Sequence, residues 1–204
     1  QMILYGRYLS PFVRRVACWL NLQGRPFELH ELAATDPNDL PKLKAVNPIA
    51  RVPALVLDDG VTLTECFAIC DWLDETAPEK RLIPADGLAR RDCLQRIAIA
   101  SATTDKAVAL VYDKNRRPEE FHWPQWQERL IGQITGGLGQ IEASLPAEGF
   151  FGGSAPNGAD IATAALHDFL ISTNPFLIEA SFPKLGAHAA RANTLEEISS
   201  TRPA

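Results

Sequence analysis

An α/β domain joined to an all-helical domain is the fold class that the 204-residue sequence predicts. Three observations carry it. Residues 2–76 alternate short apolar runs with amphipathic segments, residues 77–87 are punctuated by proline and glycine, and residues 88–204 show only helical periodicity. The length suffices for two small cores. Hydrophobic residues at 46% and charged residues at 22% are ordinary for a globular chain.

The elements follow in order. "MILY" (2–5) reads as a short buried strand. "LSPFVRRV" opens a helix: Ser10 is a preferred N-cap, and Pro11 fits the first helical position, where no backbone N–H is needed. Val13, Val16, Ala17 and Leu20 recur at helical spacing, and Gly24 supplies the stop. "PFELHEL" (26–32) reads as a second strand. "TDPNDLPKLKAVNP" reads as an irregular connection with one helical turn. "RVPALVLDDGVTLTE" is two strands joined at Asp59-Gly60, a hairpin signal. "ECFAICDWLDETAP" is a helix with Ile69, Cys70 and Leu73 inward, ending before Pro78. The order β-α-β-(loop)-β-β-α is that of a thioredoxin-like domain, here 1–76. After the 77–87 linker, helices are predicted over about 88–112, 124–145 and from Asp160, with shorter pieces after Pro183 and Thr194.

Charge and cysteine usage narrow the partners. A net charge of −5 argues against nucleic acid, whose phosphates require clustered positive charge. No apolar run approaches the length of a membrane span, and no signal peptide is expected ahead of the fold. Gln1 reads as a processing remnant, with Met2 as the natural start. Cys18, Cys66, Cys70 and Cys93 lack disulfide-framework spacing, which favours reduced thiols in the cytoplasm. Cys66 and Cys70, one helical turn apart, lack the partners of a zinc site and the spacing of a C-x-x-C redox motif. His30, His122, His167 and His188 are scattered without a triad or HExxH, and "KNRRPEEF" reads as a solvated loop. Asn157 and Asp160 form a variant capping box with a folding role.

Four stretches then act jointly. "SPFVRRV", "NPIARVPAL", "TLTECFAICDWLDE" and "NGADIATAAL" together resemble the cytosolic glutathione transferase family over essentially the whole chain. "YGRYLSPFVRRV" and "ALVYDKNRRPEEF" resemble a bacterial subgroup in which a serine precedes the helix-opening proline. The resemblance implies a role for several residues whose local reading is plain. Pro53 alone would mark an edge strand. In the family this proline is cis and turns the Val52 backbone N–H and C=O outward toward the peptide of glutathione. Glu65 at a helix start is stabilised by the dipole in any case. The resemblance has it accept from the γ-glutamyl amine, while backbone N–H groups hold the α-carboxylate of that end. Cys66 stands where the family usually has serine, so weaker glutathione affinity is expected. Arg51 is either a solvated loop residue or a partner for the glycine carboxylate.

Ser10 is either a helix cap only or the donor that stabilises the glutathione thiolate, with Tyr5 and Tyr8 as competing hydroxyls. Asp105 matches the position from which a carboxylate reaches the γ-glutamyl amine in a neighbouring subunit; the local reading is an exposed helix aspartate. Val108 and Tyr112 are candidates for lining a second-substrate site. The implied function is a glutathione transferase that activates its thiol co-substrate for attack on a small hydrophobic electrophile, as a homodimer and without a metal. Two other classes stay open: a non-catalytic binder of glutathione or hydrophobic ligands, and a thioredoxin-like interaction module. A glutathione-dependent reductase is disfavoured by serine rather than cysteine before Pro11.

Overall fold

The computed structural model describes residues 1–178 and 181–203, and the chain divides into two compact units. The first comprises Gln1–Ala85 with Thr194–Ala204, the second Asp86–Asn193. Among the described residues no helix is long and apolar enough to cross a membrane.

In the first unit the element order is β1 (Met2–Tyr5), α1 (Pro11–Leu22), β2 (Phe27–His30), α2 (Leu40–Val46), β3 (Ala54–Val56), β4 (Thr62–Thr64) and α3 (Cys66–Glu75). The four strands form one sheet in the order β2-β1-β3-β4. β1 pairs β2 in parallel (Met2 with Phe27), as expected of strands joined by a helical crossover. β3 pairs β1 and β4 antiparallel, with Leu55 opposite Leu4 and Leu63. The predicted thioredoxin-like arrangement is therefore present. The hairpin strands are shorter than the sequence suggests. Their turn closes early, through Leu57 N–H donating to the Val61 carbonyl and Val61 N–H to Asp59 Oδ1. The predicted single helical turn before Asn47 is the seven-residue α2.

α1 and α3 pack side by side. Val13, Val16, Ala17, Leu20, Ile69, Cys70 and Leu73 are buried, matching the inward faces read from their spacing. One buried carboxylate ties the two helices together. Asp74, near the end of α3, accepts from Trp19 Nε1 (2.8 Å) and Gln23 Nε2 (2.9 Å) of the α1 end. It also accepts from the backbone N–H of Leu82 (3.1 Å) and Ile83 (2.8 Å). Residues 77–85, expected as a linker, are thus docked on the first unit, with Ile83 buried.

The end of the chain also departs from the expected 88–204 helical domain. Residues from Thr194 group with the first unit, where α8 (Glu196–Ser199) lies on α1. The reason is Arg14, buried at 1% exposure on α1. Its guanidinium needs acceptors, and it donates to Thr201 Oγ1 (3.1 Å) and the Ile198 carbonyl (3.5 Å).

The second unit holds α4 (Gly87–Asn115), α5 (Pro124–Ser144), α6 (Gly158–Thr173) and α7 (Pro183–Ala192) around a core of Leu110, Leu130, Ile134, Leu138, Leu166 and Leu170. Gly137 lets α5 approach α4, since a side chain there would strike Thr103. The Asn157–Asp160 capping box is formed: Asn157 accepts from Asp160 N–H (3.3 Å) and Asp160 from Asn157 N–H (2.8 Å). Asp160 is fully buried and also accepts from Phe151 N–H, Gly152 N–H and His188 Nε2 (2.7 Å), so its folding role extends beyond the cap.

Truncating Asp74 removes the acceptor shared by four donor groups, of which Gln23 Nε2 keeps only a long contact to the Lys80 carbonyl (3.4 Å). Asp74→Ala is therefore expected to lower stability by about 3–5 kcal/mol, measured by urea denaturation, with Asp74→Asn milder. A loss under about 1 kcal/mol would show that water satisfies those donors.

Candidate functional site

Three segments of the first unit converge, and single contacts fix each one. The first is the turn from β1 into α1. Ser10 N–H donates to the Arg7 carbonyl (2.9 Å), and the Ser10 hydroxyl accepts from Val13 N–H (3.4 Å) as the N-cap of α1. A hydroxyl that accepts through a lone pair keeps its own proton to donate. The capping reading is thus correct, and it leaves the hydroxyl free for a second task.

The second segment is the loop 47–53. The Val52-Pro53 peptide is cis. Neither the Val52 N–H nor its C=O is hydrogen-bonded among the described residues. Asn47, only 2% exposed, shapes this loop: its Oδ1 accepts from Ile49 N–H (3.2 Å) and its Nδ2 donates to the Arg51 carbonyl (2.9 Å). Arg51 itself is exposed. Gly6 joins the first two segments. With φ of +135°, it leaves no room for a side chain, because an added Cβ would meet Val13 of α1 and Val52 of the loop. The Val52 and Val13 side chains therefore both crowd Gly6, which brings the loop close to the start of α1.

The third segment is the start of α3. Glu65 is its exposed N-cap and accepts from Phe67 N–H (3.0 Å). Its φ of +73° is one that non-glycine residues rarely adopt, at a cost of about 1–3 kcal/mol. Cys66 Sγ donates to the Phe12 carbonyl (3.6 Å), so the first residue of α3 touches the first turn of α1. The two helix N-termini sit together: both present positive dipole ends, and α3 adds first-turn backbone N–H groups without intrahelical acceptors. Such a cradle suits an anionic, peptide-like ligand.

The Cys66 thiol does not face this cradle as a serine hydroxyl would be expected to. It is buried at 2% exposure, beside Cys70 and the buried Arg15, whose guanidinium lies over the Phe12 ring at 5.4 Å. What Cys66 offers a ligand is its backbone N–H.

Of the competing hydroxyls, Tyr5 places its ring edge-on to His30 at 5.1 Å. Burial, then the nearby Cys18 and Glu31, raises the Tyr8 phenol above its ordinary pKa and keeps it protonated. In the second unit Asp105 is exposed on α4, Val108 packs partly against the helical core, and Tyr112 is 47% exposed. All four cysteines are free thiols and buried.

Gly6 and Asn47 are the site-shaping residues that sequence reading passed over. The "NP" preceding "ARVP" could have flagged Asn47 as a turn former. No local signal reveals that Gly6 faces Val52.

Residues 4–81 match the family described as Glutathione S-transferase, N-terminal domain. A crystal structure of a glutathione transferase family member from Pseudomonas fluorescens Pf-5 with bound glutathione superposes with a TM-score of 0.91. It is 30% identical, and the match covers 100% of both chains. Glutathione S-transferase U6 of Arabidopsis thaliana is 27% identical over 90% of this chain and 74% of its own. Maleylacetoacetate isomerase of Pseudomonas aeruginosa is 28% identical over 78% of this chain and 77% of its own.

The strain at Glu65 gives a stability test. Both Glu65→Ala and Glu65→Gly remove the capping carboxylate, but only glycine accepts the positive φ. The glycine variant should be about 1 kcal/mol more stable than the alanine variant in urea unfolding. Equal stabilities would mean that the backbone there relaxes.

Proposed function

From the membership of this chain in the glutathione transferase family, a family of enzymes, we propose that it binds glutathione across the three converging segments and activates its thiol at Ser10 for attack on a small hydrophobic electrophile. The observation that carries this reading is the meeting of two helix N-termini near the Val52 backbone, whose N–H and C=O make no hydrogen bond among the described residues.

Each part of the tripeptide has a partner of fitting chemistry. The γ-glutamyl α-carboxylate suits the N–H groups at the start of α3, with the Glu65 carboxylate accepting from the amine. The central peptide pairs with Val52 N–H and C=O as an added strand would, next to Pro53. The exposed Arg51 offers a guanidinium to the glycine carboxylate.

The remaining task is to hold the cysteine sulfur as thiolate. A free thiol has a pKa of about 8.5, and lowering it by about two units takes roughly 2.7 kcal/mol of differential stabilisation. The Ser10 hydroxyl donating to sulfur, together with the dipole of α1, supplies stabilisation of that order. Ser10 is a hydrogen-bond donor and not a nucleophile, which makes this a serine-type member. The apolar electrophile is selected loosely, as apolar walls allow. Buried free thiols are in keeping with a cytoplasmic location.

The likeness to maleylacetoacetate isomerase favours a second reading of the same site. The bound thiolate adds to a conjugated alkene, the bond rotates, and elimination returns glutathione. Either chemistry starts from the same thiolate at Ser10.

Ser10→Ala should raise the pKa of the bound thiol and cut turnover of an activated aryl halide tenfold to a thousandfold, with retention on immobilised glutathione little changed. Tyr5→Phe and Tyr8→Phe should cost far less. Thiolate absorbance that survives Ser10→Ala and disappears in a tyrosine variant would leave Ser10 as a cap alone.

The protein is further proposed to act as a homodimer in which Asp105 of the partner subunit completes the γ-glutamyl site. Glutathione should raise the Tm through linkage, and Asp105→Ala should reduce that rise. A monomer in sedimentation at micromolar concentration rules out the shared site, and an unchanged rise in the variant removes Asp105 from it.

A further inference from the structure

Two thiols that the reaction does not use share one environment beside the site. Cys66 and Cys70 lie on the buried face of α3, each 2% exposed. Four helical residues of rise and turn place their Cα atoms about 6.2 Å apart. A disulfide spans Cα separations of about 4.4–6.8 Å. We propose that Cys66 and Cys70 form an oxidisable dithiol, which hydrogen peroxide closes into a disulfide and which thereby turns glutathione binding off. The last clause rests on the glutathione reading above.

The two sulfurs are set up unequally. Cys66 is the first residue of α3, and its inward-turned sulfur lies beside the Cys70 thiol and the buried Arg15. Hydrogen bonding from the Cys70 thiol lowers its pKa, as does the buried Arg15, against the opposing effect of burial. Burial pushes the Cys70 thiol well up, and the neighbouring Cys66 adds to this. One sulfur is thus poised to attack and the other to stay protonated until needed.

The chemistry balances. The Cys66 thiolate attacks one peroxide oxygen and the O–O bond breaks. The departing hydroxide recovers the proton that Cys66 had lost and leaves as water. Cys66 is now a sulfenic acid. The Cys70 sulfur attacks it, the S–O bond breaks, and a second water carries away the hydroxyl and the Cys70 proton. Two thiols are oxidised by two electrons, and one peroxide is reduced. Two glutathione thiols reverse the step and become glutathione disulfide.

Access and consequence both follow from where Cys66 sits. It lies between exposed Glu65 and Phe67, the latter 45% exposed. The first turn of a helix lacks internal acceptors for its N–H groups and opens most easily. In a regular helix, Cβ atoms four residues apart are about 5–6 Å from each other. A disulfide needs about 3.8 Å. Closing it draws the first turn of α3 inward, withdraws Cys66 Sγ from the Phe12 carbonyl and displaces the Glu65 cap. Those are the groups assigned to the γ-glutamyl end.

The test uses the whole protein treated with hydrogen peroxide and then digested with trypsin. Residues 52–80 form one tryptic peptide that contains Cys66 and Cys70 and no other cysteine. That peptide should lose two hydrogens and regain them with dithiothreitol. The oxidised protein should bind glutathione about tenfold or more weakly, read from the glutathione-induced rise in Tm. Cys70→Ser should bind glutathione as the unaltered protein does. On oxidation it should form no disulfide and should accumulate a Cys66 sulfenic acid that dimedone captures. A peptide that keeps both thiols under peroxide that oxidises free cysteine in the same tube overturns the dithiol. A disulfide that forms without weakening glutathione binding overturns the switch. If the reduced protein shows no rise with glutathione, the proposed function fails, while the peptide mass still decides the dithiol on its own.

Discussion

The Asp74 carboxylate gathers the Trp19 indole, the Gln23 amide and the Leu82 and Ile83 backbone N–H groups into one buried cluster. It thereby clamps the C-terminal end of α1 to the C-terminal end of α3. At the opposite ends, Cys66 Sγ reaches the Phe12 carbonyl. The two helices therefore run alongside each other in the same direction, with their positive ends together. Parallel dipoles at close range repel, so this arrangement needs a specific tie. A buried carboxylate is costly on its own, but four charge-assisted donors offset that cost.

Given that clamp, the site is assembled by close approach and not by long side chains. Gly6 admits Val52 and Val13 to the same space, and Asn47 holds the loop through Ile49 N–H and the Arg51 carbonyl. Glu65 is kept at φ of +73° by the helix it caps and the strand it follows. Glu65 is thus strained, exposed and charged at a helix N-terminus, the combination on which its proposed γ-glutamyl role rests.

The second unit shows the same device. Asp160 is as buried as Asp74 and gathers as many partners, yet these come from its own cap, the adjoining 151–152 turn and His188. It holds α6 in the helical core as Asp74 holds α3 against α1, so both carboxylates serve the scaffold.

The sequence by itself determined the elements whose signals are local. Ser10 and Pro11 start α1, and Asp59-Gly60 turns the hairpin. Ile69, Cys70 and Leu73 mark an inner face, and Asn157 with Asp160 starts α6. Each rests on capping, turn geometry or periodicity within a few residues. Tertiary structure alone decided which distant groups meet. That Asp74 faces Trp19, that Gly6 faces Val52, and that Arg14 draws Thr201 and the end of the chain back onto α1 are pairings over long sequence separations. No propensity encodes them. They follow from burying each polar group beside a partner, a condition only the packed chain can meet. The Cys66 thiol turns inward for the same reason: its place in the α1–α3 seam, and not its residue type, sets where it points.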